Sequence, residues 1–410
     1  MSAPRRGIRP SYQNRGALES PLVKVFALSI HADYRCQQTG LCCQTGWSVP
    51  VEHAVDQRLR REIGEGRLGA GGQAAVDVML PRRSGLPAGM ASVLGQDPRG
   101  RCLFLDGKLC SIHTRLGTNG LPASCRLFPR VCLLEPRGIS ITLSHYCPTA
   151  ARMLLTPERG LEIVENPDAF PAGFAYEGLD VRTAWPPLLR PDVLLDWESH
   201  ALWERHAVEL FATGGAPEAV LSRLACEADL ARSWSVAKGP LRKWMTSIVA
   251  APDRGTPTAS RPGWSLVEPA AAYRSVLAAV PDALRPADRS ASLADDERWV
   301  APAWQGLSGS VCRYLAAKAF ASWCAHQGRG LRTGVAYLVA AHAVLRVEAA
   351  AACTAAGRRL DTDLLVEAFR RADLLLLHLA SREALTERLA AVEDAAPEGR
   401  VAKHASRPWG

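Results

Sequence analysis

The chain has 410 residues, 48% apolar and 22% charged, which suits two or three ordinary globular domains. A formal charge of +8 and a pI near 9.0 make it basic, yet no Lys/Arg block or basic–aromatic alternation occurs, so a nucleic-acid partner is not expected. The N-terminus lacks an apolar core of signal-peptide length, and the longest apolar run, Gly334–Leu345, is too short for a bilayer, so the expectation is a cytoplasmic protein with no membrane partner.

In chain order, residues 1–20 are rich in Arg, Ser and Pro and are expected to form a mobile arm. Leu22–Ile30 suits a short strand. Arg35–Trp47 (RCQQTGLCCQTGW) then crowds Cys36, Cys42 and Cys43 together, with Gly40 and Gly46 placed to permit sharp turns beside the adjacent pair. Val51, Val55, Leu59 and Ile63 repeat at i, i+4 and predict a helix over Val51–Ile63. Gly64–Gly69 spells G-x-G-x-x-G, but a phosphate loop needs a strand before it and a helix after it, whereas here a helix precedes. Pro81–Pro98 is loop-like. Cys102–Cys110 predicts a hairpin turning at Asp106-Gly107 with a thiol on each arm. Cys125, Cys132 and His145-Tyr146-Cys147 complete the region.

Further on, Val193–Ala212 and Ala216–Lys238 predict helices, while Ala251–Asp296 predicts a linker or long loops. Cys312, Leu315, Ala316, Ala319 and Trp323 define one helical face from Val311 onward. A second helix over Gly334–Ala352 ends at Gly357, Asp361 caps a third at Leu364–His378, and Ser381–Val392 suits a fourth. Cys226, Cys312, Cys324 and Cys353 are expected as buried small hydrophobes. The expected fold is mainly α. A small cysteine-rich metal-binding domain with few short strands (21–155) is followed by helices and a long linker (156–300) and an α-helical domain (301–395).

Eight of the twelve cysteines fall within Cys36–Cys147. Outside the secretory route such clustering points to metal ligation rather than a disulfide framework. The candidate metal ligands are Cys36, Cys42, Cys43, Cys102, Cys110, Cys125 and Cys147, with Cys132 left outside the set. His31, His53, His113 and His145 are expected on the surface or hydrogen-bonded in the core; His113 and His145, lying near cysteines, are outside candidates for ligation. Thiolates take zinc in a closed tetrahedron or iron–sulfur clusters. Paired C-x-x-C knuckles and ferredoxin-type runs are both absent, so spacing leaves zinc and iron open. No residue stands out as a catalytic base, and no glycine-rich loop follows a strand.

Cys36-x-x-Thr39-Gly40-x-Cys42-Cys43, Cys102 through Cys110-x-Ile112, and Cys125-Arg126-x-Phe128-Pro129 resemble the CxxCxxCC family, described as zinc- or iron-chelating. The whole chain resembles flagellin lysine-N-methylases. The similarity lies in Cys42-Cys43-x-x-Gly46-Trp47-x-Val49, Leu109-Cys110-Ser111-Ile112-His113-x-x-Leu116-Gly117, Cys125-Arg126-Leu127-Phe128-Pro129-Arg130 and Ser144-x-x-Cys147-Pro148. Thr39 stands where that first motif has cysteine, which throws ligation onto Cys102–Cys147. The resemblance implies methyl transfer from S-adenosylmethionine to lysine ε-amines of a flagellin-like protein substrate. It also implies an iron–sulfur centre, a [4Fe-4S] cluster, or zinc. A non-enzymatic chelating protein is the alternative.

Overall fold

The computed structural model describes residues 24–69, 71–86, 88–156, 160–170, 176–251 and 268–394; the expected N-terminal arm and part of the expected linker lie outside these. Helix accounts for 57% and strand for 11%, so the fold is mainly α as expected. The first described element is β1 (Val25–Leu28), inside the expected strand. A compact lobe follows, with β2 (Pro50–Glu52), α1 (His53–Gly64), α2 (Gln73–Met79), β3 (Met90–Val93), β4 (Leu105–Asp106), β5 (Leu109–Cys110), α3 (Ser111–Leu116) and α4 (Ala123–Leu127). The expected helix over Val51–Ile63 therefore begins two residues late, because Val51 pairs with Ser92 in a short antiparallel ladder. That ladder also corrects the loop expected at Pro81–Pro98.

The chain then returns as a hairpin, β6 (Arg130–Glu135) and β7 (Gly138–Leu143), followed by α5 (Pro148–Met153), β8 (Ile163–Glu165) and β9 (Leu179–Asp180). These build a five-stranded mixed sheet ordered β8-β1-β7-β6-β9, in which β1 runs parallel to β7 with Val25 opposite Ile139. Alternation divides its residues between two faces. Val25, Cys132, Leu134, Ile139 and Ile141 pack with Phe170 on one side. Leu28 and Leu133 join the large helical core on the other. Cys132 is thus a sheet-core residue, 3% exposed.

Two short strands, β10 (Leu188–Arg190) and β11 (Val193–Leu194), lead into the helical half. Its helices are α6 (Trp197–Ala212), α7 (Pro217–Arg232), α8 (Leu241–Val249), α9 (Pro269–Leu277), α10 (Asp296–Trp299), α11 (Ala301–Ala319), α12 (Trp323–Gln327), α13 (Leu331–Ala356), α14 (Thr362–Asp373) and α15 (Arg382–Ala390). Between α14 and α15, Leu374–Leu379 forms a π-helical turn. The linker expected at Ala251–Asp296 contains α9, and the helical face expected to run through Trp323 breaks at Phe320–Ser322, where α11 ends and α12 begins. Asp361 caps α14 by accepting from the Leu364 N–H, and Gly357 closes α13 at φ +63°, both as expected.

The central helix α13 has the length and apolar composition to cross a membrane, more than the sequence run suggested, but 89% of its most apolar window is buried inside the protein. Cys312 and Cys324 are buried beside it and Cys353 is buried within it, whereas Cys226 is only half-buried. One apolar core runs from Leu28 through Ala151 to Leu389, crossing the boundaries expected at 155 and 300. The lobe between β1 and β6 has its own small core of Val51, Leu59, Ile63, Leu68, Phe104 and Ile112 with their neighbours. Both ends of that lobe meet at one place, where the Arg130 guanidinium lies 5.3 Å from the centre of the Tyr34 ring.

Candidate functional site

Within the lobe, Leu41–Gln44 forms a short helical turn that carries Cys42 and Cys43. Gly40 precedes it at φ +70°, where an added Cβ would stand 2.8 Å from the Lys108 carbonyl oxygen, so the turn and the β4–β5 hairpin approach too closely for any side chain. The hairpin pairs Leu105 with Cys110 and Asp106 with Leu109, which puts its two-residue turn at Gly107-Lys108, one position later than expected. Cys110 lies on one arm. Cys102 lies outside the other, bridged to Gln96 and donating its N–H to the Cys43 carbonyl at 2.9 Å.

This geometry brings five of the seven expected ligands within electrostatic reach of one another. Cys42 and Cys43 have their sulfurs 3.9 Å apart. Cys43 interacts electrostatically with Cys42, Cys102 and Cys110, and Cys125 with Cys102, Cys110 and Cys42. All twelve cysteines are free thiols. The Cys43 hydrogen bond draws Cys42 down to about 7 despite burial, and the same bond pushes Cys43 up. Burial leads the rise of Cys102 to about 11 and of Cys110 and Cys125 above the usual range, with neighbouring thiols adding to it. Backbone N–H groups of Phe104, and of Ile112 and His113, donate to the Cys102 and Cys110 sulfurs. Those donors favour thiolates, so protons are held on mainly by burial and mutual repulsion.

The other two expected ligands are elsewhere. Cys147 is 6% exposed at the start of α5, and its sulfur stands 3.4 Å from the Tyr34 hydroxyl. Cys36 is exposed beside the same tyrosine and acts on both its hydroxyl and Cys147. The expected set therefore divides into five and two, because Cys147 follows the sheet strand β7 rather than the lobe. His113 contacts Gln38 and Thr118, each at 3.5 Å, and His53 is exposed. Among the described residues, no group of three or more His, Cys, Asp or Glu side chains stands ready-made around a single ion.

A buried polar network adjoins this lobe; the sequence singled out its His145, as an outside candidate for ligation, but not Asp373, Tyr314 or Lys318. Asp373, fully buried at the end of α14, accepts from the His145 N–H at 2.6 Å, from His145 Nδ1 at 3.1 Å and from the Tyr314 hydroxyl at 2.9 Å. Lys318 Nζ lies 2.6 Å from its Oδ1 and 2.8 Å from its Oδ2. Burial works against the Asp373 carboxylate, but Lys318 and His145 outweigh it and hold the group well below the usual range. The carboxylate requires a proton on His145 Nδ1, which leaves Nε2 to accept from His31 Nε2 at 3.2 Å. His31 and His145 are hydrogen-bonded core residues, as expected of them.

The two groups meet through aromatic rings. Trp47, four residues after Cys43, packs against Tyr146, Phe128 and His378 with centroids 5.2, 5.6 and 4.5 Å away. His378 hangs from the π-helical turn and bonds the Ser144 hydroxyl at 2.7 Å. Such turns often mark functional sites, and a 3.6-residue pattern cannot reveal one. No family model, no curated protein and no solved structure matches the chain.

Proposed function

We propose that the lobe holds a thiolate-bound metal centre, zinc or an iron–sulfur cluster, through Cys42, Cys43, Cys102, Cys110 and Cys125. The observation that carries this reading is the clustering of five free, part-buried thiols from distant parts of the chain within electrostatic reach of one another. The donor set fits. Sulfurs bound at about 2.3 Å to one tetrahedral zinc lie about 3.8 Å apart, close to the 3.9 Å between Cys42 and Cys43. Without a cation, burial and repulsion keep most of these thiols protonated; a bound metal exchanges those protons for itself. The centre supplies either structural cross-linking, as zinc, or electron transfer, as iron–sulfur. The N–H donors of Phe104, Ile112 and His113 orient the sulfurs, and the Trp47–Phe128–Tyr146 rings screen the lobe where it meets the helical half.

On the resemblance to flagellin lysine-N-methylases, we further propose methyl transfer to lysine on a flagellin-like substrate. The carbon–sulfur bond of the sulfonium breaks as the carbon–nitrogen bond forms, and the amine releases its proton. A lysine near its ordinary pKa must lose solvent or meet a base to react. The alternative is a chelating protein without enzymatic activity.

The deciding experiment is metal and acid-labile sulfide analysis, with an absorption spectrum, on protein purified without oxygen. Iron with sulfide and a broad visible band supports the cluster, zinc in a colourless protein supports a structural centre, and absence of any metal overturns the reading. For the methylase, mass spectrometry of a flagellin incubated with the protein and S-adenosylmethionine is expected to show added 14-Da increments, the mass of CH₂. Unchanged lysines, with no S-adenosylmethionine binding by calorimetry, leave the chelating protein.

A further inference from the structure

A second group of metal-binding side chains lies in the helical half, away from the thiols. His200 on α6 and His326 on α12 face each other with ring centroids 5.4 Å apart and planes at 64°. His200 is 4% exposed. Its Nδ1 and both ring nitrogens of His326 are buried and have no hydrogen-bond partner. Three orphaned nitrogens on two touching rings are costly, because each lost its bond to water on burial. The Trp197 ring, 5.8 Å from His326, closes one side.

His200 and Glu204, one helical turn apart on α6, line a cavity of about 50 Å³, with Ala325, the neighbour of His326 in the chain, on its wall. The Glu204 carboxylate accepts from the Ala321 N–H at 2.9 Å and from Arg137 at 3.1 Å. Arg137 also donates to the buried Glu135 at 2.6 Å, and the Ser140 hydroxyl donates to Glu135 at 3.2 Å. Two carboxylates thus share one guanidinium, and burial together with Glu204 raises Glu135 to about 7. Burial, aided by Arg137, holds His200 at about 3, and burial with His200 nearby holds His326 at about 3, so both rings are neutral and keep their lone pairs. Neutral imidazole is the metal-ligating form.

We propose that His200 and His326 together bind one divalent transition-metal ion, of which Zn²⁺ is the type, with water completing its coordination. Two imidazoles on one tetrahedral ion, with metal–nitrogen bonds of about 2.0–2.1 Å, have ring centroids about 5 Å apart, near the 5.4 Å here. Glu204 and Glu135 remain on their present partners, Arg137, Ser140 and the Ala321 N–H. Two protein ligands, rather than three, agree with the absence of any three-ligand group among the described residues. The ion ties α12 to α6, next to the break that separates α12 from α11.

The test uses the full chain with Cys42, Cys43, Cys102, Cys110 and Cys125 replaced by serine, so that sulfur ligation cannot contribute. Equilibrium dialysis against Co²⁺ is expected to give one bound ion, with weak ligand-field bands and no sulfur-to-cobalt charge transfer. Adding His200→Phe and His326→Phe is expected to abolish it. Equal binding with and without the two histidines overturns the proposal and leaves water as the partner of the orphaned nitrogens. Should the serine background fail to fold, the second measurement uses the otherwise wild-type chain. There, replacing both histidines is expected to lower the Co²⁺ stoichiometry by one and leave the sulfur charge-transfer bands unchanged; an unchanged stoichiometry again overturns it.

Discussion

At the scale of single residues, the strongest constraint is the ion pair between Lys318 and Asp373, both fully enclosed. Removing one partner of such a pair leaves a bare charge in the interior, whereas removing both charges leaves none unpaired. Lys318→Met is therefore expected to destabilise by about 3–5 kcal/mol, read from urea unfolding, and Lys318→Met with Asp373→Asn, which removes the charge but keeps an acceptor for His145 and Tyr314, to recover most of that loss. An equal loss in the double variant would show that the pair is not the source of the penalty. His378 gives a pH signature. Burial lowers it from 6.5 to about 4, so between those values the unfolded chain binds the proton more readily than the fold does. Stability is full above pH 6.5 and falls as pH drops towards 4, by about 2 kcal/mol at pH 5 from this group. The denaturation midpoint of His378→Gln is expected to depend less on pH over that range. None of these partners was legible in the sequence. Lys318 and Asp373 sit in unremarkable contexts, His145 drew notice only for its neighbouring Cys147, and only packing reveals that the three share one interior site.

At the scale of elements, local chemistry spoke clearly where a single residue decides the backbone. The Asp361 cap, the Gly357 stop and the Gly40 turn were all legible, because each depends on one side chain or its absence. Gly40→Ala combines a left-handed φ with a clash against backbone, and is expected to cost about 1–3 kcal/mol. It is also expected to lower metal retention; retention equal to wild type would detach the turn from the thiol pocket. The hairpin β6–β7 went unseen because its strands, RVCLLE and GISITL, lie within the cysteine-rich stretch and were taken with it. The thiols themselves were found by clustering alone. What clustering could not show is that Cys147 follows a sheet strand while Cys110 follows a lobe hairpin, which is why the ligand set divides.

At the scale of the whole molecule, two apolar cores of unequal size support the two regions. The large one surrounds α13, and the small one lies under the thiols. A small core gains relatively more from a metal cross-link than a large one does. Chelation under reducing conditions is expected to speed amide exchange in α1 and α3 while leaving α13 protected; uniform acceleration would mean that the regions unfold as one unit. The contact between Tyr34 and Arg130 has a different consequence. The 95 residues from Arg35 to Pro129 leave the sheet and return to it at the same point. They are an excursion between strands, and neither the strand order nor the helical core runs through them. A short flexible splice joining Tyr34 to Arg130 would close that gap, and loop-closure entropy changes only slowly with length. The thiol-bearing part is in this sense an insertion, tied to the rest where Trp47 and Phe128 set their rings against Tyr146 and His378.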